Sequence, residues 1–119
     1  MNELIERLVA NVGVDSATAE KAVGIILGFL KKEGPPDRVQ PLIDGLPGAE
    51  ALIEANQGGG GMFDMGGVMG VGTKLMGTGL NMTQVQSVTK EIIAFTREKA
   101  GDEAVGEIVA AIPGLSQFV

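Results

Sequence analysis

Aliphatic residues recur at three- and four-residue steps along nearly the whole of this 119-residue chain, and glycine or proline breaks the rhythm at intervals. That spacing puts apolar side chains on one face of an α-helix, so the pattern predicts an all-α fold of five to seven helices. Leu4, Ile5, Leu8, Val9 and Val12 set a first helix over about 2–12, with Gly13 as a left-handed cap. Asp15 or Ser16 can cap a second helix over about 16–33. It carries Ala19, Ala22, Val23, Ile26, Leu27 and Leu30 and ends on Lys31, Lys32 and Gly34. Pro35 and Pro36 suit the start of a third helix bearing Val39, Leu42, Ile43 and Leu46, with Pro41 near its first turn. Gly45 and Pro47-Gly48 close it, and Ala49 to Asn56 form a short fourth helix.

Sliding the chain by 66 residues superposes this grammar on the C-terminal part. Gly13-Val14-Asp15 falls on Gly79-Leu80-Asn81, Phe29 on Phe95, and Leu46-Pro47-Gly48 on Ile112-Pro113-Gly114. The expectation is a single domain spanning 1–119, with pseudo-repeated helical hairpins at about 13–53 and 79–119. A glycine- and methionine-rich segment at 57–78 joins them. Gly58 to Gly79 holds ten of the nineteen glycines and four of the six methionines. Gly58 to Gly61 reads as a linker and residues 64–77 as a middle helix. Met62, Met65, Met69 and Met76 fall on one stripe of that helix, and Gly66, Gly70, Thr73 and Gly77 on another. Glycines in a helix each cost up to about 1 kcal/mol against alanine, so tertiary contact must hold it. On this reading the bare stripe admits a neighbouring helix. Met65, Met69 and Met76 fill the core beside Leu8, Val23, Ile26, Leu27, Leu30, Ile92, Ile93, Phe95, Ile108 and Val109. Alternatively, the methionines form a groove that repacks around an apolar partner.

Apolar residues make up 45% of the chain and charged residues 20%, which argues against disorder. The net charge of −6, with scattered basic residues, disfavours nucleic acid as a partner. Without cysteine there are neither disulfides nor thiolate metal sites. MNELIERLVANVG lacks the basic start and continuous apolar core of a signal peptide, and no apolar run spans a bilayer. The expected location is therefore cytoplasmic, with membrane association unlikely because only Lys74 is basic on the middle segment. Histidine and tyrosine are absent as well as cysteine, leaving no usual general base or thiol nucleophile. The acid pairs Glu3/Glu6, Glu50/Glu54 and Asp102/Glu103/Glu107 sit on polar faces or at helix starts. Gly67 to Thr73 contains no phosphate-loop lysine motif. The expectation is a protein that is not an enzyme and has no cofactor, metal or catalytic residue.

The stretches GVDSATAEKAVGIILGFLKK, LIDGLPGAEALI and GLNMTQVQSVTKEIIAFTREKAGDEAVGEIV, in that order around the glycine-rich middle, resemble the bacterial VcgC/VcgE-like family of unknown function over about residues 8–112. The resemblance implies a helical interaction module and carries over no activity and no site residue. From the residues themselves, the expected function is protein interaction or assembly, with self-association as a homo-oligomer. Met62, Met65, Met69, Met76, Leu115 and Phe118, with Val119 beside them, are the candidate contacts. The competing expectations are a carrier of a small apolar ligand in a methionine-lined pocket and a protein that associates reversibly with membranes.

Overall fold

The computed structural model describes residues 2–46, 48–57 and 67–112. These form seven helices with no strand among them: α1 (Asn2–Val12), α2 (Ser16–Glu33), α3 (Pro36–Asp44), α4 (Ala49–Gln57), α5 (Gly67–Gly77), α6 (Met82–Ala100) and α7 (Asp102–Ala111). The linker expected at 58–61, residues 64–66 of the middle helix, Met62, Met65, Leu115, Phe118 and Val119 lie outside the described residues.

Local chemistry explains the boundaries. Gly13 turns with φ +86°, and the Asp15 carboxylate accepts the Thr18 amide at 2.7 Å to cap α2. At α6 the Asn81 side chain accepts the Gln84 amide at 2.8 Å while Gln84 accepts the Asn81 amide at 3.1 Å. This reciprocal capping box satisfies two amides that a helix start leaves open. The sequence places Pro41 near the first turn of its helix, but it lies inside α3. The amide it lacks would have served the carbonyl of Asp37, an exposed residue that water can reach. Gly34 ends α2 with an ordinary φ of −84°, so backbone conformation is not what requires glycine there. A Cβ would lie 2.6 Å from the Leu30 carbonyl oxygen and 2.7 Å from Val39 Cγ2. The glycine lets α3 fold back tightly against the end of α2.

Two helices organise the core. α2 packs against α1, α3, α4, α5 and α6, and α6 packs against α1, α2, α3, α5 and α7. Because neighbours surround α2, its buried set of Ala19, Ala22, Val23, Gly24, Ile26, Leu27, Phe29 and Leu30 wraps most of its circumference. α4 lies along α2 most extensively, with Ala49 and Ile53 fully buried, and a Cβ on Gly28 would sit 3.5 Å from Ile53 Cγ2. Thr89 and Thr96 are buried polar residues whose hydroxyls each donate at 2.8 Å within α6, to the carbonyls of Val85 and Ile93.

In the middle helix Leu75 faces the core, and Met76, expected there, does not. Leu75 is fully buried, Gly70 is buried and Val71 packs partly against the core, whereas Met76 is exposed. Val71 and Leu75 stand four residues apart and make one face, so the adjacent Met76 must point away. At the Gly77 end of the bare stripe no neighbour comes close, since a Cβ there would meet nothing within 4 Å. Of Met69 only the backbone is described.

Candidate functional site

Among the described residues, the most exposed large apolar side chains flank the turn between α5 and α6. Met76, 47% exposed, stands near the end of α5, and Met82, 54% exposed, is the first residue of α6. Between them Thr78 donates its hydroxyl to the Leu75 carbonyl at 2.6 Å, Gly79 turns with φ +105°, and Leu80 is buried. The turn thus lies between two soft, unbranched side chains whose flexibility suits variable apolar contacts. Gly72 and Gly77 add bare backbone nearby, with open space where a Cβ would go. Of the sequence-based contact residues with described side chains, only Met76 belongs to this corner. Reading along the chain missed Met82. The signal available was its place directly after the Asn81 cap, where the first helical residue lies outside the apolar face.

A polar cluster lies elsewhere, on the seam of α1 and α6. Arg7 donates to Glu98 at 2.7 Å and to Glu91 at 3.4 Å, Asn11 donates to Glu91 at 3.5 Å, and Lys99 pairs with Glu3 at 3.6 Å. The Arg7 guanidinium and the Lys99 ammonium stand 5.6 and 5.3 Å from the centroid of the buried Phe95 ring. The Glu98 hydrogen bond, with the charges of Glu98 and Glu91, holds Arg7 above its usual pKa. Partly exposed pairs of this kind contribute about 0–1 kcal/mol each, so they orient α1 more than they hold it.

A smaller network joins α2, α3 and α4. Glu50 accepts Gln40 at 3.3 Å and Lys31 at 3.2 Å, and these contacts, Gln40 first, lower its pKa. Arg38 of α3 pairs with Glu107 of α7 at 2.8 Å. Among the described residues no group of three acidic side chains is placed to hold a metal ion, and no buried side-chain polar atom lacks a partner. Nor, among them, is any helix long and apolar enough to cross a membrane. The sequence matches no family model, and neither curated proteins nor solved structures include a match to the chain.

Proposed function

We propose that the chain is a non-catalytic helical module for protein interaction or assembly, and that it associates with itself through the α5–α6 corner. The observation that carries this reading is the pair Met76 and Met82, exposed on either side of one turn. The bare backbone at Gly72 and Gly77 supports it, because a partner helix can come close there. So does the lack of histidine, cysteine and tyrosine, which leaves few groups for catalysis. Kinship with the VcgC/VcgE-like family, whose members the sequence resembles, belongs to the same proposal.

Sedimentation equilibrium over a wide concentration range tests it. The expected result is a reversible oligomer that the double substitution Met76→Glu, Met82→Glu returns to monomer with an unchanged helical spectrum. A strict monomer, or an oligomer indifferent to both substitutions, would overturn it. A co-purified apolar adduct in native mass spectrometry would favour the ligand carrier instead, and sedimentation with vesicles the membrane-associated alternative.

A further inference from the structure

Among the described residues the exposed large apolar side chains are Val9, Met76 and Met82, and both of those at the α5–α6 corner are methionines. Building the turn does not require them. The α1–α2 corner makes a similar turn, with Gly13, Val14 and Asp15 where α5–α6 has Gly79, Leu80 and Asn81. There the residue three before the glycine is Ala10, and the one after the cap is Ser16. Nor do the methionines fill the core at this corner, since Leu75 and Leu80 are the buried side chains beside them.

Leucine at either position would offer apolar surface just as well. What methionine adds is a thioether sulfur, which a peroxide converts to a sulfoxide and so turns a flexible apolar side chain into a polar one. With no cysteine in the chain, no thiol of its own competes for the oxidant and no disulfide can form.

We infer that Met76 and Met82 form a redox-sensitive modification site, and that their oxidation by hydrogen peroxide releases the self-association proposed above, on which this inference rests. In each oxidation the sulfur lone pair attacks one peroxide oxygen, the O–O bond breaks and an S–O bond forms. Sulfur gives up two electrons, and the second oxygen takes the proton of the first and leaves as water. Reduction by a methionine sulfoxide reductase restores the thioether: two thiols become a disulfide, and the oxygen departs as water. In the separate chain the new S–O dipole faces water and costs the fold little, because Leu75 and Leu80 supply the buried contacts at this corner. In an apolar contact with a second copy the same dipole must be buried, which is unfavourable unless a donor meets it.

Sedimentation equilibrium of the full chain before and after hydrogen peroxide, with peptide mass spectrometry to locate the added oxygen, tests this. The expected result is oxygen on Met76 and Met82, self-association weakened at least about tenfold, an unchanged helical spectrum, and recovery on treatment with the reductase. In a partly oxidised sample, oxygen on these two sulfurs should be enriched in the monomer fraction over the oligomer fraction. The variant Met76→Leu, Met82→Leu keeps the other four methionines, and its association should survive the same treatment. Should the leucine pair not associate, the partitioning decides alone. Sulfurs left unoxidised, oxygen shared equally between the fractions, release that persists in the leucine variant, or a lost helical spectrum would overturn the inference and leave the self-association standing. A chain already monomeric before peroxide would overturn the self-association, and this inference with it.

Discussion

At the α1–α2 corner the chain turns on Gly13, buries Val14 and caps α2 with Asp15; at the α5–α6 corner it turns on Gly79, buries Leu80 and caps α6 with Asn81. The helices leading into these turns are held differently. α1 buries Leu4 and Leu8 completely, adds Ile5 and Val12 in part, and is oriented by the ion pairs of Arg7 and Lys99. α5 has Leu75 fully buried and Val71 partly so, and carries interior glycines at Gly70 and Gly72. Full burial of a leucine contributes about 1.5–3 kcal/mol, and each interior glycine takes back about 1 kcal/mol. Counted over the described side chains, α5 has the narrower margin and α1 the wider one. Similar turns thus follow helices whose described side chains are buried to different extents.

The largest expected effect uses one fully buried leucine from each of these two helices. Leu8→Ala and Leu75→Ala should each destabilise by about 2–5 kcal/mol in urea unfolding. If α5 is the weaker attachment, Leu75→Ala should speed amide exchange in α5 while α1 and α2 keep their protection. Equal loosening of both helices would remove the distinction between them.

Next in size are glycines with opposite roles. Gly79→Ala places a Cβ at φ +105° and should destabilise by about 1–2 kcal/mol. Gly72→Ala adds a methyl group in open space within a helix and should stabilise by about 0.5–1 kcal/mol. Thermal unfolding reads both, and shifts of the same sign would contradict the account of α5.

The smallest effect separates the caps. The hydrogen bond from Thr18 lowers the Asp15 pKa in the folded protein. Its stabilisation is present above the unfolded carboxylate range and is lost as pH falls through the lower folded value. Asp15→Asn keeps the acceptor and should flatten the acid limb of a plot of Tm against pH, whereas Asn81→Asp should steepen it. Unchanged profiles in both variants would show that neither cap titrates with folding.

What the sequence determined by itself was the course of the first helices. Asp15, Asn81, Gly13, Pro36 and the three- and four-residue spacing act through neighbours a few positions away, so α1 and α2 could be delimited without knowing what surrounds them. Only the tertiary structure decided that Leu75 rather than Met76 faces inward, that Gly34 is needed for space, and that Arg7 crosses to Glu98 beside Phe95. The α5–α6 corner was half legible for the same reason. Met76 was visible as a methionine, but its exposure depended on which face α2 and α6 had already claimed. Those choices are set by contacts between residues distant along the chain, where shape and close approach, not local propensity, determine which side of a helix is covered.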